Sequence, residues 1–312
     1  MVTNIAIFYG GPGSEHEVSI ASAENFIASV EVSKYSVQKI FIQKDMVCLL
    51  DGKQMNLQEV IDLLPKDTIV IPLLHGPYGE GGVLQKILEA NHKEYLWSDS
   101  KASSLAMDKY ETGMMLRKVD LHTPETILVN QSNCNVPFSF PVIVKPRDDG
   151  SSVDLFKVED DVSLEKALIE SLTRHKEMLI QECVLGREFT CGVIEKKGEL
   201  IPLVPTEIIL TKGELFDYEA KYTVGGCNEV TPAEISKEVK KRIQEVAVVS
   251  HKALGCKDIS RTDMIMRENG EIIVLEVNTI PGMTTTSFIP VQVKASGYTL
   301  SEIIDIVIDN HI

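Results

Sequence analysis

The chain has 312 residues and a formal net charge of -15, with 44% hydrophobic and 25% charged residues. That length suggests two domains or three small ones, and the acidic balance opposes unassisted binding to nucleic acid or an anionic membrane surface. No apolar run approaches the roughly 20 residues of a membrane helix, no signal-peptide pattern opens the chain, and six scattered cysteines without C-x-x-C spacing read as reduced thiols of a cytoplasmic protein.

Residues 4–9, 36–42 and 68–74 are short apolar runs separated by helical patterns, the alternation of a parallel α/β layer. The first run ends in Gly10-Gly11-Pro12-Gly13, and a helix carrying Ile20, Ala21, Ala23, Phe26 and Ile27 follows. This loop is not a dinucleotide fingerprint, because the third glycine of G-x-G-x-x-G would fall at His16. Taken alone, Glu15 reads as an acidic first-turn residue favoured by the helix dipole, and His75 as a polar residue after a strand. We assign residues 1–98 to an N-terminal α/β domain. Residues 99–183 form a smaller α+β domain: two short helices, then strands at TILV, PVIVKP, VDLFKV and MLIQEC around a helix near 162–173. Residues 184–312 form the third, with strands over 189–195 and 201–209 and an irregular stretch over 211–230. A helix then begins at Thr231-Pro232-Ala233-Glu234, read as N-cap, first-turn proline and capping-box glutamate, and ends at Gly255.

The most informative segment is 260–278, SRTDMIMRENGEIIVLEVN. Asn269-Gly270 between two apolar runs predicts a hairpin with a two-residue turn pairing Glu268 with Glu271. Counting back by twos sets Asp263 opposite Glu276 and Arg261 opposite Asn278 on one face. The same register puts Ile265 and Val274 on that face, and Thr262, Met264, Met266, Ile273, Leu275 and Val277 on the other. Opposed carboxylates repel unless a hard divalent cation lies between them, and two carboxylates with an amide oxygen are ligands such an ion takes, usually with substrate phosphates. The face therefore predicts a magnesium site and chemistry on a nucleotide. Three weaker signals agree. Lys145 to Val153 joins two strands through a turn of small residues whose amides suit phosphate oxygens, although glycine and serine are also ordinary turn residues. Gln181 to Glu188 passes through a glycine turn between two domains, where an adenine can lie along backbone. The irregular stretch holding Lys221 and Tyr222 is long for a structureless loop, which points to a binding role.

The chain resembles the D-alanine:D-alanine ligases of the ATP-grasp superfamily across nearly its whole length. The resemblance is carried, in order, by GGPGSEHEVS at 10–19, LHGPYGEGG at 74–82, MDK at 107–109, VIVKPRDDGSSV at 142–153, GREFT at 186–190, FDYEAKY at 216–222 and RTDMIMRENGEIIVLEVNTIPGMTTTSFIP at 261–290. It implies a three-domain ATP-grasp fold and a homodimer. ATP would phosphorylate one D-alanine, and the amine of a second would attack the acyl phosphate to give a dipeptide for peptidoglycan precursors. Asp263, Glu276 and Asn278 would hold two magnesium ions, which manganese can replace. Lys109, Lys145 and Lys221 would contact the ATP phosphates, Glu188 the ribose, and Gln181, Glu182 and Val184 the adenine. Glu15 would pair with the first D-alanine's ammonium, with Ser151 and Tyr222 linked to it. Arg261 and the Gly282 amide would stabilise the oxyanion, Ser287 with Phe288 would bind the second D-alanine, and His75 would sit beside it and accept its proton.

Some positions depart from the family's usual pattern: Gln181 for glutamate, Asp154 for glycine, Gly81 for aspartate and Leu96-Trp97 for Thr-Gly. Gln181 keeps a carbonyl acceptor for an adenine amino group, so it bears on nucleotide affinity, while Asp154 adds a charge beside the phosphate loop that would alter its closure. Three alternatives stand beside the ligase: D-serine or D-lactate as second substrate, a catalytically idle ATP-binding protein, and an oxidoreductase using the first glycine loop. The intact Lys221-Tyr222 pair favours D-alanine over D-lactate.

Overall fold

The computed structural model describes residues 2–132, 134–150, 154–211 and 226–312. Three sheets organise the chain. The first has the order β4-β3-β2-β1-β5, built from β1 (Thr3–Gly10), β2 (Tyr35–Ile42), β3 (Cys48–Leu50), β4 (Lys53–Met55) and β5 (Ile69–Pro72). β1 runs parallel to β2 and β5, as the apolar runs predict, and β3 and β4 add an antiparallel edge. Ile5, Ala6, Ile7 and Phe8 are all fully buried because both faces of β1 are covered. Ile5 and Ile7 pack on α1 (His16–Ser29) and on α10 (Leu300–Ile308) through Phe26, Ile303, Ile304 and Val307. Ala6 and Phe8 face α2 (Leu57–Leu63) and, beyond α3 (Gly76–Glu80), α4 (Val83–Ala90), through Val60, Leu84 and Leu88.

The second sheet is antiparallel with the order β6-β9-β7-β8: β6 (Thr126–Val129), β7 (Val142–Pro146), β8 (Phe156–Val158) and β9 (Met178–Glu182). Its core lies against α7 (Asp161–Ser171) through Leu164, Ala167 and Leu168. The helices α5 (Ser100–Met107) and α6 (Lys109–Arg117) precede this sheet in sequence. Their buried Ala106 and Leu116 nevertheless pack on Leu254, Val274 and Val277, which belong with the third sheet.

The third sheet has the order β13-β12-β10-β14-β15, with β11 beside β10. Its strands are β10 (Arg187–Lys196), β11 (Glu199–Pro202), β12 (Thr206–Leu210), β13 (Cys227–Val230), β14 (Ile259–Met266) and β15 (Ile272–Asn278). One face buries Phe189, Cys191, Val193 and Met264 against Ile243 and Ala247 of α8 (Lys237–Leu254). α9 (Phe288–Ala295) follows β15.

Two local expectations need correcting. α8 is capped by Ser236, whose hydroxyl accepts from the Val239 amide at 3.2 Å, rather than by Thr231. Residues 231–235 instead form an irregular lead-in that buries Ala233 and Ile235 beside the helix. Gly255 does end it, with φ +71°. The hairpin turn is also longer than two residues. The Arg267 amide donates to Glu271 O and the Gly270 amide to Arg267 O, each at 2.9 Å, which encloses residues 268–270 with Gly270 at φ +84°. That places Met264 opposite Val274. A shift between Asp263 and Met264 then makes Leu275 an extra residue, and Asp263 returns opposite Glu276 and Arg261 opposite Asn278. The bulge also exchanges faces: Val274 joins the apolar core with Val277, while Leu275 turns with Ile265 toward a cleft.

Candidate active site

Two clefts meet over the third sheet. The larger, about 870 Å3, is lined by Glu15, His75, Glu80, Lys109, Arg261, Glu276, Asn278, Gly282, Ser287 and Phe288 among others. The second, about 630 Å3, is lined by Lys145, Gln181, Glu182, Val184, Glu188, Asp263 and the apolar Ile143, Ile265 and Leu275. Lys109, Gly150 and Glu276 border both, so the clefts are continuous at the hairpin. The described site residues named from the sequence thus come together. Ser151, Lys221 and Tyr222 lie outside the described residues.

At the hairpin, Arg261 clamps Asp263 with Nε 2.9 Å from Oδ1 and Nη2 2.8 Å from Oδ2. Thr190 Oγ1 donates to the same Oδ1 at 2.5 Å, and Asn278 Nδ2 to Oδ2 at 3.2 Å. Lys109 Nζ lies 3.8 Å from Glu276. Burial works against the Arg261 cation, yet Asp263, Glu276 and Glu80 hold its pKa above the ordinary value. Its guanidinium also lies 5.4 Å from the centroid of the Phe288 ring. Among the described residues no three His, Cys, Asp or Glu side chains form a metal cage. The fit is instead to a cation that takes two carboxylates and an amide oxygen here and completes its shell with substrate and water oxygens, which is the habit of magnesium.

The wall opposite is tied across sheets. Ser22 of α1 accepts from the Met283 amide at 3.1 Å and lies 3.4 Å from His75 Nε2, while Asn25 donates to Met283 O at 2.7 Å. These bonds fix the loop carrying Gly282. A Cβ added at Gly282 would lie 2.8 Å from Ser287 Oγ, so a larger residue there would push that hydroxyl aside. Ser287 Oγ accepts from the Thr284 amide at 3.1 Å and is hydrogen-bonded to Thr284 Oγ1 at 2.7 Å, which presents hydroxyls at the start of α9. His75 Nδ1 lies 3.1 Å from Glu80 Oε1. Burial alone lowers the His75 pKa, but the hydrogen bond and charge of Glu80, with Glu15, make the net shift upward. Burial likewise raises Glu80. A Cβ added at Gly150 would lie 3.9 Å from Glu15 Oε2, which places the end of the glycine-rich segment over that carboxylate.

In the second cleft, Gln181 Nε2 donates to Thr126 Oγ1 at 2.9 Å, and Thr126 in turn donates to Pro124 O. That chain fixes the amide so that its carbonyl points away from Thr126. The Glu182 carboxylate is held by Arg267 at 2.8 Å, and the Glu182 amide donates to Glu125 O at 3.0 Å. Asp154 has φ +53°, which is why a glycine suits the position. Its charge does not stand loose beside the phosphate loop as expected: Arg174 holds both oxygens at 2.6 and 2.9 Å, and His175 lies 2.8 Å from Oδ2.

Sequence reasoning gave no role to Glu80, Thr190, Ser22 or Asn25. Glu80 and Thr190 sit inside quoted motifs, but the pairing that sets Thr190 beside Asp263 emerges only from the register of β10 against β14. Glu229 was also missed. It lines the larger cleft with a pKa raised by burial, against the pull of Arg261.

Residues 103–309 match the family described as D-ala D-ala ligase C-terminus, and residues 4–62 the D-ala D-ala ligase N-terminus. A D-alanine--D-alanine ligase of Halalkalibacterium halodurans is 33% identical over 96% of this chain and 96% of its own. Among solved structures, the VanG D-Ala:D-Ser ligase from Enterococcus faecalis superposes with TM-score 0.87 at 28% identity, covering 100% of both chains. The D-alanine--D-alanine ligase from Bacillus anthracis complexed with ATP superposes with TM-score 0.82 at 29% identity, covering 100% of this chain and 97% of its own. With both halves of the family matched and the site residues gathered over one sheet, the chain belongs to the D-alanine--D-alanine ligase family.

Proposed function

We propose that the protein joins two D-alanine molecules at the expense of ATP, through a D-alanyl phosphate, to give D-alanyl-D-alanine, ADP and phosphate for peptidoglycan precursors. The observation that carries this is the continuity of the two clefts at Glu276 and Lys109. A nucleotide in the apolar slot of Ile143, Ile265 and Leu275 directs its phosphates along Lys145 and Lys109 to the hairpin, beside the acyl cleft. Adenine meets Gln181, Glu182 and Val184, and ribose meets Glu188. Asp263, Glu276 and Asn278 would hold two magnesium ions, whose positive charge would offset the negative charge of the phosphates.

Glu15 takes the ammonium of the first D-alanine and turns its carboxylate toward the γ-phosphate. Arg261 and the Gly282 amide supply two donors for the oxyanion that develops when the second amine attacks. Ser287 and Thr284, at the start of α9, receive the second carboxylate beside Phe288, and His75 accepts the amine's proton while Glu80 holds its ring. Ser151, Lys221 and Tyr222, which lie outside the described residues, would by the family resemblance help keep water from the acyl phosphate. No helix among the described residues is long and apolar enough to cross a membrane. We place the protein in the cytoplasm as a homodimer, with domains at 1–98, 99–183 and 184–312.

The test is ADP release from ATP and magnesium with D-alanine, L-alanine, D-serine or D-lactate, with products identified by mass spectrometry. D-alanyl-D-alanine is expected. A second reading, D-serine as the second substrate, is favoured by the full-length likeness to the D-Ala:D-Ser ligase, and a mixed product would establish it. Absence of D-amino-acid-dependent turnover would overturn both and leave an idle ATP-binding protein.

A further inference from the structure

The phosphate lysines do not stand on one element. Lys145 is on β7 of the second sheet, whereas Lys109 opens α6, which packs on the third. ATP phosphates need both at once, so something must fix the distance between them. Asp108 and Arg147, each adjacent to or two residues from a phosphate lysine, span that gap. Asp108 caps α6, with Oδ1 accepting from the Tyr110 and Glu111 amides at 3.1 Å each. Its other oxygen, Oδ2, accepts from Arg147 Nε at 2.9 Å and Nη2 at 2.6 Å. Arg147 Nη1 reaches Glu177 at 2.7 Å, just before β9. The backbones are joined beneath: the Lys109 amide donates to Arg147 O at 3.0 Å, and Lys109 Nζ donates to Asp149 O at 2.5 Å.

We propose that Asp108 and Arg147 are positioning residues for the phosphate site, a clamp that sets Lys109 against Lys145 without touching the nucleotide. This rests on the reading of the second cleft as an ATP site. One carboxylate does two jobs, capping the helix and holding the guanidinium, so the start of α6 and the segment after β7 move as one body. The planar fork of Arg147 fits because it binds Asp108 and Glu177 simultaneously from fixed directions. A lysine reaches one of them at a time.

The experiment compares the full-length protein with Arg147→Met, Arg147→Lys, Asp108→Asn and the Arg147→Met/Asp108→Asn double variant. ATP with magnesium is titrated by calorimetry, and KM is measured separately for ATP and D-alanine. Arg147→Met weakens ATP by about tenfold, the scale of one charge-assisted hydrogen bond lost, and leaves KM for D-alanine within about twofold. Arg147→Lys recovers part of the loss. The double variant is no weaker than the worse single one, because the two residues act as one unit. Unchanged ATP affinity, a parallel loss for ATP and D-alanine, or additive effects would each overturn the clamp. Should Arg147→Met fail to fold, Arg147→Lys and Asp108→Asn, which keep the charge and the cap respectively, carry the same comparison. If the wild-type protein binds ATP but releases no ADP with D-alanine, the ligase reading falls while the ATP titrations still decide the clamp.

Discussion

Asp263 and Glu276 face each other across the hairpin and are assigned the same task, yet their surroundings predict different costs when each is neutralised. Asp263 is the counter-ion of Arg261, held at 2.9 and 2.8 Å, with side-chain exposures of 13% and 16%. Asp263→Asn leaves that guanidinium facing an amide. Breaking a buried pair costs about 3–5 kcal/mol, and the remaining pull of Glu276 and Glu80 on Arg261 places the loss at the low end, about 3 kcal/mol. At roughly 2–4 °C per kcal/mol, the melting temperature falls by about 6–12 °C. Glu276 is more exposed, at 27%, and its lysine stands off at 3.8 Å. Glu276→Gln also removes the repulsion between opposed carboxylates, so stability stays within about 1 kcal/mol of wild type. Adding ATP and magnesium at about 100 times Kd raises wild-type stability by about 2.7 kcal/mol, and both variants lose most of that gain. Scanning fluorimetry with and without ligand reads all three states. Equal melting temperatures for the two ligand-free variants would refute the assignment of Asp263 as the counter-ion of Arg261.

Glu80→Gln removes the group that holds the His75 pKa up against burial. The acid limb of the kcat/KM profile then moves to lower pH, and a limb that stays in place would exclude His75 as the titrating base. His251 is buried against Ser260 with its pKa lowered to about 4 from 6.5 by desolvation. A depressed histidine pKa means that the unfolded chain binds the proton first, so stability is full above pH 6.5 and falls toward pH 4, by about 3 kcal/mol at 1.36 kcal/mol per unit. His251→Gln should flatten the dependence of the urea midpoint on pH in that window; an unchanged slope would show that other groups drive it. Trp97 occupies a usual glycine position at φ +78°, fully packed, with Nε1 donating to Pro72 O at 2.6 Å. Trp97→Gly relieves about 1 kcal/mol of backbone strain but removes a buried indole worth about 3–5 kcal/mol. Thermal denaturation should therefore show a net loss, and a stabilised variant would contradict the packing argument.

The hairpin shows what periodicity reads and what it misses. Alternation of side chains placed Asp263 opposite Glu276, and the pairing is found, but by a different route: a longer turn shifts the register by one and the bulge at Leu275 shifts it back. No alternation pattern carries a bulge, so Val274 and Leu275 were assigned to the wrong faces while the acidic pair was placed correctly. The start of α8 failed for a related reason. Thr231-Pro232-Ala233-Glu234 and Ser236 both satisfy a capping rule, and the choice is made by Ala233 and Ile235 packing beside the helix, a tertiary effect. Glycine-position departures were visible as letters, but their consequences were not. Asp154 tolerates its left-handed backbone with its charge paired by Arg174 and His175, which lie 20 and 21 residues further along.

Several of the residues that sequence left unassigned share a property: each acts through a partner remote in the chain. Ser22 and Asn25 bind Met283 at separations of 261 and 258 residues, Thr190 binds Asp263 at 73, and Arg147 binds Asp108 at 39. Such polar ties add little net stability apiece, since each replaces hydrogen bonds to water. Their value is geometric, because a partly buried polar group left without its partner is costly and the alternatives to the one satisfied arrangement are therefore disfavoured. A site assembled from loops over three sheets needs that selectivity more than one built within a single element, since a shift of about 1 Å between reacting groups can cost about 100-fold in rate. The motifs supply the groups that line the two clefts, and the long-range ties hold those groups in register across the sheets.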